Sequence, residues 1–450
     1  MEQLTIIQKI AVWILPVVFA ITVHETAHGW VAKKYGDIFH VKIRSRHHFY
    51  IRHPDHIEKI LLAGYTIRTS KPRPLRYTLG TGLITSEGEL HSVMRRHIQP
   101  LFQKNMLADK PDLINERVGN VVNKWKEGQT REITHEMMEI TLGVILRVLF
   151  STAFNDEETI EKIRKNAHLV HLHSHQDPAS HINMHIESWP WVGKWTGPAR
   201  ARRFLDELIF DQIHKRRAQK DFSAPDLLSS LLKIQESQAE GGPMNDRQIK
   251  DELLTVFLAG HETTTAALSW TWYLLSQNPE AEKKLHEEVD RVLDGRLPTG
   301  EDLPKLSYTR MVFLESMRLY PPVWTLGRRP ASEDFWLDGY QIPKKSVILI
   351  SPYLVHHDER FFPDPERFIP ERFTPEEEAK RPRFAYFPFA GGNRKCIGEP
   401  LTMMEGIITL STIASRWRLR LVPGHPIRMA PRVSLQPKYG IRMILERRSH

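Results

Sequence analysis

With 450 residues and 41% hydrophobic content, the chain has material for a large buried core, which excludes a disordered or fibrous class. Its single cysteine excludes an internal disulfide and a stapled secreted scaffold, and a reducing, cytoplasmic setting suits it. The formal charge of +9 is spread along the chain without a basic aromatic stripe or zinc-finger spacing; it points away from nucleic acid and toward an acidic protein partner or an anionic membrane surface.

Residues 10–23 (IAVWILPVVFAITV) are apolar and uncharged, yet short of the roughly 20 needed to span a bilayer. No small-residue cleavage site follows. The expectation is a helix that packs on the domain or dips into a membrane surface, which allows weak membrane association. H24-E-T-A-H28 comes next, with two histidines on one helical face and Glu25 as a general base, the spacing of zinc hydrolases. Through Tyr35-Gly36-Asp37 this stretch resembles the first catalytic helix of the site-2 type intramembrane metalloproteases. That family also needs a distant third ligand within further membrane helices, and no second apolar run of that length occurs here. Residues 1–33 are therefore read as an apolar, protease-like N-terminal segment, fused or recombined, and 34–450 as one catalytic domain.

In chain order, residues 38–43 and 48–51 read as strands and 54–62 as a short helix. Helices are expected at 89–101, rich in basic residues, and at 132–149. Residues 168–195 read as irregular, and their histidines (168, 171, 173, 175, 181, 185) fit a solvated lid better than a metal site. A long helix is expected at 246–276, then helices at 279–293 and 308–319, the last stopped by Pro321-Pro322. Residues 336–351 read as strands with a turn at Pro343-Lys344-Lys345, 362–373 as extended, 400–415 as a last helix, and the end as paired strands.

The stretch F389-A-G-G-N-R-K-C-I-G398 carries the chemistry. A thiolate that binds haem iron must approach from a loop with backbone amides around the sulfur. Gly392 and Gly398 allow such a turn. Arg394 can pair with a haem propionate. A helix starting just after Cys396 aims its positive end at the sulfur and favours thiolate. Thiolate ligation then favours O–O cleavage. The alternative for a lone cysteine is a small buried hydrophobe.

F-x-x-G-x-R-x-C-x-G is matched at every fixed position, Phe389 included, and resembles the signature of the cytochrome P-450 family. A259-G-H-E-T-T264 resembles that family's oxygen-activating helix segment, with Glu262 as acid and Thr263 as alcohol in proton delivery. A local widening of the helix is expected there, and Gly260 is expected to allow close approach of a ligand. Glu315 and Arg318 match a buried ionic network completed by Arg372 of P370-E-R-F373, in preference to Arg367 of the near-duplicate P365-E-R-F368. His91 and Arg95 resemble the propionate-binding pair, and Arg329 is favoured over Arg328 as a further propionate partner from its spacing to Glu333-Asp334.

The resemblance covers roughly residues 34–450. It implies a mainly α fold with small β-sheets: a single large domain with haem b between two helices and Cys396 as the axial iron ligand. It implies a haem-thiolate monooxygenase that puts one atom of O2 into a hydrophobic small molecule. No flavin, nicotinamide or iron–sulfur fingerprint occurs, so electrons from NAD(P)H must come through a separate acidic ferredoxin or flavodoxin. Substrate contacts are expected from variable loops, including 72–83 and 323–326. A haem-thiolate binding or sensor protein is the alternative, and a membrane zinc protease a lesser one.

Overall fold

A computed structural model of the chain describes residues 36–43, 46–63, 67–69, 73–103, 107–151, 154, 156–173, 196–237, 244–330, 333–344 and 346–448. The apolar segment, His24 and His28 lie outside these residues, as do histidines 175, 181 and 185. Among the described residues no helix is long and apolar enough to cross a membrane, and no group of three or more His, Cys, Asp or Glu could hold a metal.

The elements run as follows: β1 (Ile38–Ile43), β2 (Arg46–Ile51), α1 (Pro54–Leu62), β3 (Ile67–Thr69), α2 (Arg73–Leu79), α3 (Gly88–Ile98), α4 (Lys110–Val122), β4 (Thr130–Glu132), α5 (Ile133–Phe150), α6 (Glu157–His173), α7 (Gly197–Gln219), α8 (Leu227–Glu236), α9 (Asp246–Gln277), α10 (Pro279–Leu293) and α11 (Ser307–Leu319). After these come β5 (Leu326–Pro330), β6 (Phe335–Leu337), β7 (Tyr340–Ile342), β8 (Val347–Ile350), α12 (Glu399–Ala414), β9 (Trp417–Leu421), β10 (Met429–Pro431), β11 (Leu435–Pro437) and β12 (Arg442–Arg447). Two compact units divide the chain: 1–70, 325–365 and 382–387 in one, the remainder in the other.

The smaller unit holds a five-stranded sheet in the order β1-β2-β8-β5-β3. Only β2 and β8 are parallel, His48 facing Val347 through Ile51 facing Ile350. Parallel neighbours need a long crossover; here it is residues 52–346. Phe49 and Ile51 of β2 and Ile348 and Ile350 of β8 bury one face against Ile57, Ile60 and Leu61 of α1. Pro54 opens α1, where the His53 Nδ1 accepts the Asp55 amide at 3.3 Å. Asp37 is tied in by Arg360 at 2.7 and 3.0 Å. The turn at Pro343 is present, its carbonyl accepting Ser346 N at 2.8 Å. A second turn, absent from the sequence reading, joins β6 and β7 at Asp338-Gly339, both left-handed (φ 46° and 86°). Asp-Gly suits a tight hairpin turn of this kind.

The larger unit is helical around α9. Asn245 caps α9 by accepting Gln248 N at 2.9 Å, and Pro279 begins α10 directly after it. Buried residues occur all round α9, which marks a central helix. It packs along α5 and also meets α7, α11 and α12. Three expectations need correction in this unit. Residues 157–173 are helical, because Ile163, Ala167 and Val170 turn inward at helical spacing, so irregular structure does not begin at 168. The span 72–83 is not a loop throughout but carries helix α2. Residues 370–373 form a 3-10 turn rather than extended chain, with Pro370 at its first position.

Candidate active site

The cysteine loop is closed by its own backbone. The Cys396 amide donates to Phe389 O at 2.9 Å, and Lys395 N to Gly392 O at 3.1 Å. Gly392 takes φ 66°, the left-handed turn the motif requires. Gly398 does not: it sits at φ −80° as the cap of α12. Instead Ala390, unmarked in the sequence, adopts φ 57°.

Cys396 has exposed surface, yet burial is the largest influence on its thiol and pushes its pKa up. The amides of Gly398 and Glu399 pull the other way by donating to the sulfur, and the charge of Arg95 acts in the same sense. The carboxylate of Glu399 opposes them. A Cβ on Gly398 would stand 3.8 Å from Sγ, an ordinary contact, so the glycine leaves the sulfur uncrowded. Two amides, a cation and the start of α12 around one sulfur form the donor set that a metal-bound thiolate needs. The residues fit a haem iron ligand.

His91 is buried on α3, and Arg95 lies one turn on, its Nε donating to Gln99 Oε1 at 2.8 Å. Arg394 reaches the chain before α3: Nη1 donates to Leu83 O (3.4 Å), and Nη2 to Ser86 O (2.9 Å) and Glu87 Oε2 (2.6 Å). Sequence reasoning missed Glu87, whose partner lies 307 positions away. Arg329 pairs with Arg68 in the strand register and belongs to the smaller unit; its side chain lies outside what is described.

On α9, Thr263 Oγ1 donates to Ala259 O at 2.9 Å. Glu262 is buried; Ser434 Oγ donates to its Oε1 at 3.3 Å, and Gln436 Nε2 lies 3.4 Å from both its Oε1 and its carbonyl. Both donors stand at the β11 side of the β10–β11 turn, which the sequence did not single out. Trp270 Nε1 fastens the same turn by donating to Leu435 O at 2.9 Å. The expected widening is not seen, and α9 is α-helical from Asp246 to Gln277. Gly260 has a packing reason: an added Cβ would come within 2.7 Å of Ile145 Cδ1 on α5.

The ionic network is assembled as the sequence motif implies. Arg318 donates to Glu315 through Nε (2.7 Å) and Nη2 (2.9 Å), with both side chains wholly buried. Arg372 Nε stands 3.4 Å from Glu315 Oε1, and Arg367 supplies its carbonyl to Arg318 at 3.1 Å. Burial pushes the Glu315 carboxyl up, against the pull of Arg318, the Ile369 amide and Arg372.

The chain is similar to known proteins along most of its length. The family model described as Cytochrome P450 matches residues 11–444. Cyclooctatin synthase of Streptomyces melanosporofaciens is 36% identical over 92% of this chain and 89% of its own length. Cyclooctat-9-en-7-ol 5-monooxygenase of the same organism is 36% identical over 87% and 84%. Pentalenene oxygenase of Streptomyces avermitilis is 32% identical over 78% and 76%.

Proposed function

The chain belongs to the cytochrome P450 family of haem-thiolate monooxygenases, and we propose that it oxidises an unsaturated, largely hydrocarbon small molecule with Cys396 as the iron ligand. Two backbone amides converging on the sulfur of the only cysteine carry this reading. The names cyclooctat-9-en-7-ol and pentalenene, borne by relatives, denote an alkenol and an alkene.

Cys396 Sγ binds as thiolate, favoured by the Gly398 and Glu399 amides, while Phe389, Gly392 and Gly398 shape the loop around it. Arg95, His91 and Arg394 would hold the propionates of haem b. When bound, the haem supplies activation of dioxygen, one atom of which enters the substrate while the other leaves as water. Glu262 and Thr263 Oγ1 serve as the acid and the alcohol of a proton relay. Thr263 Oγ1 keeps its acceptor lone pairs available while it donates to Ala259 O. Electrons reach the protein from NAD(P)H through an acidic ferredoxin or flavodoxin in the cytoplasm, drawn by the net charge of +9.

The test is the carbon monoxide spectrum of the reduced protein. The wild-type protein is expected to absorb at the long-wavelength thiolate position, and Cys396→Ser to lose that band. An unchanged band in the variant would remove Cys396 as the ligand.

A further inference from the structure

Two consecutive carboxylates, Asp251 and Glu252, enter the buried side of α9 near its start, far along the helix from Glu262. Both are almost wholly buried, as is Lys250 beside them. Asp251 Oδ2 accepts the Thr81 amide at 2.8 Å and the Thr81 hydroxyl at 3.1 Å. Its other oxygen faces Lys250 Nζ at 2.5 Å, and Lys250 also reaches Asp206 of α7 at 3.1 Å. Glu252 Oε2 accepts the Leu83 amide at 2.8 Å, while Oε1 has no hydrogen-bond partner among the described residues. The fit to this turn is tight. A Cβ at Gly80, which has φ 62°, would lie 2.2 Å from Asp251 Oδ2; one at Gly82 would lie 2.1 Å from Thr255 Oγ1.

Leu83 is thus held from two directions, its amide by Glu252 of α9 and its carbonyl by Arg394 of the cysteine loop. Thr85 Oγ1 closes the turn onto Gly80 O at 2.7 Å, and Arg394 takes the far end at Ser86 and Glu87. Helix α3, with His91 and Arg95, begins at Gly88. Residues 80–87 form a strut between the helix that carries Glu262 and Thr263 and the loop that carries Cys396.

We propose that Asp251 and Glu252 are positioning residues for the cofactor site: through the 80–87 strut they set where Arg394, His91 and Arg95 stand. This rests on the reading of those three residues as cofactor holders. The two acids do so in different charge states. Asp251 works as a carboxylate opposite Lys250. Glu252 meets no cation among the described residues, and burial pushes its pKa up to about 8, so it accepts the Leu83 amide as a neutral acid. Glutamine offers the same neutral acceptor in the same shape, whereas asparagine at 251 strips the charge that faces Lys250.

The experiment uses the haem-loaded protein and follows two readouts: amide hydrogen exchange within 80–87, and the rate of haem loss to an apoglobin scavenger. Asp251→Asn is expected to open the strut to exchange and speed haem loss about tenfold or more, as removal of hydrogen bonds to a charged group implies. Glu252→Gln is expected to stay within about twofold of wild type on both readouts, whereas Glu252→Asp, too short to reach Leu83, loses protection. If Asp251→Asn does not fold, Thr81→Val removes a single bond and is expected to raise both rates by a smaller factor. Unchanged exchange and haem loss in Asp251→Asn or Thr81→Val overturn the proposal, as does a Glu252→Gln variant no better than Glu252→Asp. Exchange in 80–87 needs no assumption about the ligand. A carbon monoxide band retained by Cys396→Ser would count against the function reading and leave the strut standing.

Discussion

Glu252 shows what one buried group does to the pH response. Its carboxyl stays protonated in the folded state up to about 8, while the unfolded chain releases that proton near 4.5. The folded protein binds the extra proton between those values, so the group's contribution to stability is complete below 4.5 and is lost as pH rises toward 8. Glu252→Gln removes this term. Thermal unfolding is expected to show the variant gaining on wild type from pH 5 to pH 8, by up to about 1.4 kcal/mol per pH unit. A constant difference across that range would contradict the assignment. Such a residue is illegible in the sequence, because its partner Leu83 lies 169 positions away and contributes only a backbone amide. Cys396 and the Glu315–Arg318 pair are legible for the opposite reason: the partners that define them stand within a few residues. Ala390 was hidden because nothing in an alanine announces a left-handed backbone.

Among the elements, α9 and α10 read almost to the residue, since Asn245, Asn278 and Pro279 punctuate their ends. α7 is harder to read: its inward residues Leu205, Ile209 and Ile213 stand four apart in a strongly charged sequence. The contact between α9 and α5 turns on Gly260, where the two helices close to within a side chain's reach, and on the Thr141–Thr265 hydroxyl pair at 2.7 Å. Gly260→Val is expected to force Ile145 aside and cost about 1–3 kcal/mol. Adding Ile145→Val is expected to recover part of that loss, and a double-mutant cycle in urea denaturation measures the coupling. Additive effects would mean that the two positions do not meet.

For the molecule as a whole, the Glu315–Arg318–Arg372 network ties α11 to the chain at 367–372 from within the core. Arg318→Leu leaves a buried carboxylate with half its compensation and is expected to cost about 3–5 kcal/mol, read as a lower urea midpoint. A shift below about 1 kcal/mol, the range of exposed pairs, would mean that water reaches the network. The mainly helical class was legible from the long apolar periodicities. The strand order was not, because β2 and β8 pair across about 300 residues and neither strand names its partner. That pairing has a consequence for the making of the protein. When β2 leaves the ribosome its free edge lacks a partner, and the apolar side chains Phe49 and Ile51 have only β1 and the following α1 to cover them. At about 5–20 residues per second, β8 arrives roughly 15–60 s later, after nearly all of the helices have been synthesised. Until then the nascent sheet carries an open, sticky margin, so the yield of soluble enzyme in a cell depends on chaperone supply and on the pace of translation as well as on the stability of the finished fold.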